Sequence, residues 1–178
     1  PVVRGGMGGE MKRRGTSVSV VGVFSFTGGQ LALCCLAGTI FSANTIVYLA
    51  EYVMSEGYTQ FSYTTAAVYP VKCDSEVILP EHFTKLLRRY KGKDRILYIQ
   101  PVNHIPTGRT MTARRMADLL AICRAEHIPV IENDILRDVT SFEPPPPLRA
   151  EESDLVITLG APGVFSQIGI KCSWLIVP

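Results

Sequence analysis

The sequence has no strong excess of charge and no apolar segment long enough to cross a membrane. Its 18 basic and 16 acidic residues leave a formal net charge of +2, too small to indicate nucleic acid or an anionic membrane as a partner. The apolar run from Leu31 to Phe41 is shorter than the roughly 20 residues that a membrane span requires. Residues 1–14 are glycine-rich and basic, without the apolar core of a secretory signal. These patterns predict a cytoplasmic protein whose residues 1–14 form a flexible lead-in.

Cysteines at the spacing of a metal site or a disulfide framework are also missing. The five cysteines are an odd number, and no C-x-x-C pair or cysteine–histidine cluster occurs. Four of them have mainly apolar neighbours, among which cysteine packs as a small hydrophobe. Reduced thiols and no structural metal are therefore expected.

What the sequence does contain is an alternation of short apolar runs with helical patterns. Most runs are continuous in Val, Ile, Leu and Tyr, as in strands buried on both faces of a parallel sheet. The predicted strands are Val20–Phe26, Thr45–Leu49, Ala67–Val71, Arg95–Gln100, Val130–Asn133, Leu155–Leu159 and Cys172–Val177. The predicted helices are Gln30–Phe41, Met54–Phe61, Pro80–Tyr90 and Thr112–Glu126. This order predicts a three-layer α/β/α sandwich around a mostly parallel seven-stranded sheet.

Three local patterns add expectations about packing. The helix Gln30–Phe41 is apolar almost all round, which predicts deep burial. In the fourth helix, Thr112 is the predicted N-cap, and Arg114 and Arg115 are expected to point outward. The segment Ser141–Ser153 contains four consecutive prolines and is expected to be a stiff extended loop.

A glycine turn follows the first predicted strand. Thr27-Gly28-Gly29-Gln30 opens a helix, so backbone N–H groups and the positive end of the helix dipole converge on one point. That arrangement suits an anion, above all a phosphate, although a tight strand-to-helix turn would require the same small residues. Lys171, ahead of the last strand, is either an anion partner at this edge or a surface residue.

Two further loops at the same edge carry polar side chains. Gln100–Gly108 contains His104, a candidate base or ligand, although a lone loop histidine is more often structural. The segment Glu132-Asn133-Asp134-Ile135 ends the fifth strand. Its carboxylates could bind a metal or exchange protons, or they could cap the segment that follows.

Taken in order, these segments resemble motifs of the aminotransferase class I/II family, the fold type I pyridoxal phosphate (PLP) proteins. The resemblance is greatest for the aminotransferase-like domain of MocR-type GntR transcriptional regulators. The S-G-x-Q, H-Q-x-P-T-G, paired-arginine, E-D-D-Y and P-x-L motifs are matched by Thr27–Gln30, Asn103–Gly108, Arg114-Arg115, Glu132–Ile135 and Pro147-Leu148. The resemblance implies that residues 15–178 form an aminotransferase-like large domain with an antiparallel last strand.

The positions that depart from the family pattern are those that would handle the cofactor. An ungapped match at the end of the chain puts Val164 at the position of the coenzyme lysine and Lys171 at that of the phosphate-binding arginine. Asn133 replaces the aspartate that holds the ring nitrogen, Ile135 replaces a tyrosine, and Ile105 replaces the asparagine beside the ring hydroxyl. Valine has no amine for a Schiff base, and asparagine lacks the charge that keeps the ring nitrogen protonated.

These replacements imply a domain that has lost PLP catalysis and keeps a vestigial pocket. The residues expected around it are Gly28, Gly29, Gln30, Asn133, Ile135 and Lys171, with His104 and Ile105 nearby. The expected role is effector sensing and homodimerisation in a MocR/GntR-like regulator, with PLP or another anionic small molecule bound non-covalently. Such regulators carry a winged-helix DNA-binding domain and a small C-terminal domain besides, so the chain is expected to be a fragment or a natural remnant.

Two alternatives remain from a different class of function. The chain is an aminotransferase if the Schiff-base residue is Lys171 rather than the residue at position 164. It is a structural pseudoenzyme if it acts through protein contacts alone.

Overall fold

The central sheet has seven strands, as predicted. The computed structural model describes residues 22–53, 55–152, 154–163 and 171–178; the predicted lead-in (residues 1–14) and Val164 lie outside these ranges. The strands of the sheet are β1 (Val23–Phe26), β2 (Thr45–Ala50), β3 (Ala67–Val71), β6 (Asp94–Ile99), β7 (Val130–Asn133), β8 (Val156–Gly160) and β9 (Ser173–Ile176). A separate hairpin consists of β4 (Cys73–Asp74) and β5 (Val77–Ile78).

The strand order is β1-β9-β8-β7-β6-β2-β3. Strand β9 runs antiparallel to both of its neighbours, and every other pair is parallel. This confirms the expected sheet, including its antiparallel last strand. Parallel neighbours require long crossover connections, so the carboxyl ends of β1, β2, β6, β7 and β8 lie along one edge. A site on this edge draws on segments that are far apart in sequence.

Helices pack on both faces of the sheet. They are α1 (Gly29–Ile40), α2 (Ser55–Ser62), α3 (Pro80–Arg89), α4 (Ala113–Ala125) and the one-turn α5 (Leu148–Glu151). Along β2, Val47 and Leu49 pack with α1, whereas Tyr48 packs with α3 and α4 on the opposite face. Successive strand side chains point to opposite faces, so one strand contributes to both cores. No helix in the described ranges is long and apolar enough to span a membrane.

Helix α1 is buried along one side only, so the prediction of its deep burial is wrong. Leu31 is 46% exposed, and Cys34 and Cys35 are exposed as well. The residues that face the sheet are Ala32, Leu33, Leu36 and Ala37. A sheet can cover only one side of a helix, and residues on the opposite side of α1 are exposed in the part of the chain that the structure describes.

The β4–β5 hairpin was not predicted, and it changes the environment of Arg115. The Arg115 guanidinium donates to the two carboxylate oxygens of Asp74, at 3.2 and 2.8 Å, and to the Ile78 carbonyl at 2.7 Å. Arg114 is exposed, but the prediction that Arg115 also points outward is wrong. Thr112 caps α4 as predicted, because its Oγ1 accepts a hydrogen bond from the backbone N–H of Arg115 at 3.2 Å.

The proline-rich segment ends in a helical turn. Its chain is irregular up to Pro147, which is the N-cap of α5. The expected extended loop is therefore correct for the prolines and wrong for residues 148–151. A proline with its fixed φ is compatible with a helix that begins just after it, which the sequence analysis did not consider.

Candidate functional site

A cavity of about 200 Å³ opens at the carboxyl edge of the parallel strands. Its wall combines the start of α1 with residues that follow β2, β6 and β7. The lining residues are Gly29, Gln30, Leu33, Val53, Gln60, Tyr98, Gln100, Ile105, Asn133, Ile135 and Leu136. Among these described residues none carries a charged side chain.

The glycine turn forms one rim of this cavity. Gly28 has φ of 104°, a value that side chains disfavour. A Cβ atom on Gly29 would lie 2.5 Å from Cδ1 of Ile135, so Ile135 packs directly over the start of α1. No side chain in the described ranges caps this helix, and its first N–H groups form the positive end of the helix dipole.

Lys171 lies beside the same turn. A Cβ atom on Gly28 would lie 3.6 Å from Cβ and 3.7 Å from Cδ of Lys171. The Lys171 residue is exposed. The structure thus brings together the glycine turn and the lysine that the sequence analysis paired, at the rim of the cavity rather than in its wall. Their arrangement places a cation next to a helix N-terminus.

Asn133 is fixed in the cavity wall by two hydrogen bonds. Its Nδ2 donates to the hydroxyl of Tyr98 at 2.8 Å, and its Oδ1 accepts from the backbone N–H of Ile135 at 3.3 Å. The Tyr98 ring packs edge-on against Phe61, with ring centroids 5.0 Å apart. Burial raises the pKa of Tyr98, so the hydroxyl stays protonated. The amide and the hydroxyl form an uncharged polar pair.

Gln60 of α2 is a second polar residue in the wall, and the sequence analysis missed it. The residue is 8% exposed, and its Oε1 has no hydrogen-bond partner in the part of the chain that the structure describes. A buried acceptor without a donor costs free energy unless a ligand or water supplies one. No sequence signal marks this position, because a glutamine in a short helix is ordinarily a surface residue.

Gln30 and Gln100 also line the cavity, and the remaining residues of the wall are apolar. The Gln100 amide is bonded to the loop backbone at Asn103 and Ile105. Ile105, which the resemblance placed beside a ring hydroxyl, and Ile135, which it placed at a tyrosine position, both line the cavity. Leu33, Val53 and Leu136 extend the apolar surface between them. The cavity therefore has a polar side around Asn133 and a hydrophobic side.

His104 stabilises its own loop and does not line the cavity. It is 2% exposed, and its Nδ1 lies 2.9 Å from Oγ1 of Thr107. Its backbone pairs with that of Arg109 in an isolated antiparallel bridge. Burial, together with the nearby Arg109 charge, lowers the pKa of His104 to about 4, so the imidazole is neutral at physiological pH. The structural alternative is favoured over a base or ligand.

Glu132 and Asp134 are directed away from the cavity. Glu132 accepts hydrogen bonds from the Leu148 backbone N–H at 2.8 Å and from the Thr158 hydroxyl at 3.0 Å. Asp134 forms a buried ion pair with Arg137, Nε to Oδ2 2.7 Å. The described residues contain no group of three or more side chains that could hold a metal ion. The capping alternative is favoured, since both carboxylates are occupied by neighbouring backbone or side chains.

The chain is similar to a transcriptional regulator over almost its whole length. It is 27% identical over 170 residues to the HTH-type transcriptional regulator YdfD of Bacillus subtilis, a match that covers 94% of this chain and 35% of the relative. The chain thus spans about a third of that relative. A comparison with protein-family models gives no match.

The fold is that of the PLP aminotransferases. The structure superimposes on an archaeal alanine:glyoxylate aminotransferase with a TM-score of 0.88 and 21% identity, covering 98% of this chain and 45% of the other. It matches LysN, the α-aminoadipate aminotransferase of Thermus thermophilus in complex with N-(5'-phosphopyridoxyl)-L-leucine, with a TM-score of 0.84 and 21% identity. That match covers 98% of this chain and 44% of LysN. Fold type I neighbours and HTH-type relatives are what the resemblance implied.

The described residues do not fit PLP in its catalytic form. Asn133, which the resemblance puts at the ring-nitrogen position, is neutral and already bonded to Tyr98, so it would supply no charge to a pyridinium. Ile105, at the position that the resemblance puts beside the ring hydroxyl, has no polar side-chain atom to bond it. The turn at Gly28, with Lys171 beside it, suits the phosphate group of PLP. A contact of this kind would bind the cofactor without contributing to catalysis.

Proposed function

We propose that this chain is the effector-sensing and dimerisation domain of a MocR/GntR-like transcriptional regulator, without PLP catalysis. The observation that carries the proposal is the cavity with no charged group in its described wall, at the carboxyl edge of the parallel strands, where α/β sheets bind their ligands. Electron withdrawal by a bound pyridinium requires a fixed counter-charge. A neutral wall can bind a ligand but cannot drive that chemistry.

The relationship to YdfD supports the regulatory part of the proposal. The match extends over 94% of this chain, so the two share the sheet and the cavity region rather than a short motif. The DNA contact belongs to another segment of such a regulator, and the site of action is the cytoplasm. This chain would contribute the ligand response.

The outer face of α1 supports homodimerisation. Leu31, Cys34 and Cys35 recur at helical spacing and are exposed, which places an apolar stripe on the surface. Continuous apolar patches on soluble domains commonly mark protein interfaces. A second copy of the same chain can bury this stripe by packing its own α1 stripe against it in an isologous contact.

Titration with PLP tests the sensing role against both alternatives. The purified chain is titrated while thermal unfolding and visible absorption are followed, then reduced with borohydride and examined by mass spectrometry. We expect reversible binding, a higher unfolding temperature and no borohydride-stable adduct. The Lys171→Ala variant should bind about tenfold more weakly, because a charge-assisted contact to phosphate is lost. Lys85→Ala, an exposed lysine on α3, is the matched control and should bind normally.

Two results would contradict this proposal. A stable adduct on Lys171 would assign the Schiff-base lysine there and support an aminotransferase. No binding by any measure would support the structural pseudoenzyme.

A further inference from the structure

From the cavity wall we infer the class of effector: an uncharged planar ring that carries both a hydrogen-bond donor and an acceptor on its edge, such as a cyclic amide or a neutral nitrogen heterocycle. This inference rests on the proposed function and specifies the ligand of the same cavity. The inferred ligand is neutral, unlike a protonated pyridinium. An acidic residue in place of Asn133 would favour that cation.

The charge of the wall determines the charge of the ligand. Tyr98 is the only titratable residue among the described lining residues, and its phenol is protonated at neutral pH. Burying an unpaired ionic group costs far more than burying a neutral polar one. A ring that is itself charged would therefore lose more hydration than this wall returns, whereas an anionic substituent at the rim would lie beside Lys171.

The hydrogen-bonding groups left open define the edge of the ligand. Asn133 uses one of its two amide N–H groups on Tyr98, and the second has no acceptor among the described residues. Gln60 lines the same cavity, and its Oε1 is buried without a hydrogen-bond donor among the described residues. An amide-like edge can form hydrogen bonds with both groups. Its carbonyl or ring nitrogen accepts from Asn133, and its N–H donates to Gln60.

Size and shape limit the ligand to about one ring. The cavity volume of about 200 Å³ lies below the ~300–1,000 Å³ typical of pockets for larger ligands. The Ile105 and Ile135 side chains offer apolar surface for the faces of a flat molecule, whereas the polar groups lie at its edge. A single six-membered ring with one amide-like edge fits this division.

Three ring compounds test the inference on the whole chain. They are 2-pyridone, which has the neutral N–H and carbonyl edge, N-methyl-2-pyridone, which lacks the donor, and the N-methylpyridinium cation. Dissociation constants are measured by ligand-observed NMR. We expect 2-pyridone to bind about tenfold more tightly than N-methyl-2-pyridone, the loss of one hydrogen bond to a buried acceptor, and the cation to show no binding.

Two variants assign the effect to the two amides. Gln60→Leu should remove the preference for 2-pyridone over its N-methyl form and raise the unfolding temperature, because a buried acceptor without a partner is eliminated. A purely structural glutamine would not combine these two changes.

Asn133→Asp should reverse the charge preference and allow the cation to bind. Tyr63→Phe alters an 84% exposed residue and should leave all three affinities unchanged.

Specific outcomes would overturn the inference. Equal or tighter binding of the cation to the unaltered chain, or no binding of any ring to the folded chain, would contradict a neutral ring ligand. The proposed sensing role is judged separately by the PLP titration, whose covalent adduct on Lys171 does not depend on these probes. The two proposals can therefore fail independently.

Discussion

The end of β7 shows how neighbouring residues acquire different roles. In the sequence, Glu132–Ile135 form one motif whose carboxylates were candidates for metal binding or proton exchange. In the structure, Asn133 and Ile135 line the cavity, whereas Glu132 and Asp134 bind the segment around α5 and Arg137. Strand alternation directs consecutive side chains to opposite faces, so a motif of four residues serves two separate purposes.

Glu132 gives a prediction about stability and pH. Burial, together with the nearby Asp134, raises the pKa of Glu132 from 4.5 to about 7. The unfolded chain loses this proton near pH 4.5 and the folded chain only near pH 7, so the contribution to stability is full below pH 4.5 and lost as the pH rises to 7. The loss in the free energy of unfolding amounts to about 2–3 kcal/mol. We expect that Glu132→Gln, which has no carboxyl group to titrate, does not show it.

The measurement is urea unfolding of both chains at pH 5, 6, 7 and 8. The unaltered chain should lose stability relative to the variant as the pH rises. Protonation of His104, whose pKa is lowered to about 4, acts in the opposite direction and is common to both chains, so it cancels in the difference. A difference that does not change with pH would show that Glu132 is already ionised in the folded chain.

At the scale of elements, the β4–β5 hairpin is bonded to α4 through Arg115 and through Thr112, whose hydroxyl donates to Glu76 at 2.6 Å. Arg115 donates to both the carboxylate of Asp74 and the carbonyl of Ile78, and its side chain is only 15% exposed. The Arg115 guanidinium lowers the pKa of Asp74 through this contact. Helical spacing alone predicts two adjacent arginines on the outside, but the hairpin covers one of them.

Arg115→Ala should therefore cost more than Arg114→Ala on the same helix. We expect a loss of about 2 kcal/mol for Arg115→Ala, because several charge-assisted hydrogen bonds disappear and the Ile78 carbonyl loses its donor. Arg114→Ala, at an exposed position, should change stability by less than about 0.5 kcal/mol. Urea unfolding at one pH measures both. Equal effects would mean that the hairpin does not depend on this arginine.

At the scale of the whole molecule, the sheet places the cavity on one side of α1 and leaves the other side apolar and exposed. The inner side packs on the sheet, while the stripe around Leu31 faces outward. The same helix thus contributes its first turn to the ligand site and its outer face to the proposed dimer.

Leu31→Glu tests the proposed dimer contact. We expect the unaltered chain to sediment as a dimer and Leu31→Glu to weaken the dimer by about a hundredfold, because a charge would be buried in an apolar interface. The unfolding temperature of the dissociated chain should not fall, since Leu31 is exposed within a single copy. Phe142→Glu changes another exposed apolar residue, 52% exposed, and should leave the dimer intact. A monomeric unaltered chain would contradict the proposal.

The sequence by itself determined the seven-stranded sheet and its four longer helices. The strand runs are continuously apolar because parallel strands are covered on both faces, and helices such as α3 and α4 have a polar side that marks their surface. Local signals of this kind reside within a few residues, so the proline-led start of α3 and the Thr112 cap were predictable as well. The motif order also placed Gly29, Asn133, Ile105 and Ile135 on one edge of the sheet.

Only the tertiary structure decided which polar side chains reach the cavity. Gln60 and Tyr98 line it although neither stood out in the sequence, whereas His104 and Glu132 did stand out and are buried elsewhere. These outcomes depend on contacts between segments dozens of residues apart, such as the bond from Asn133 to Tyr98. A sequence pattern reports local periodicity. Long-range packing alone decides where a loop side chain points and whether a buried amide has a hydrogen-bond partner.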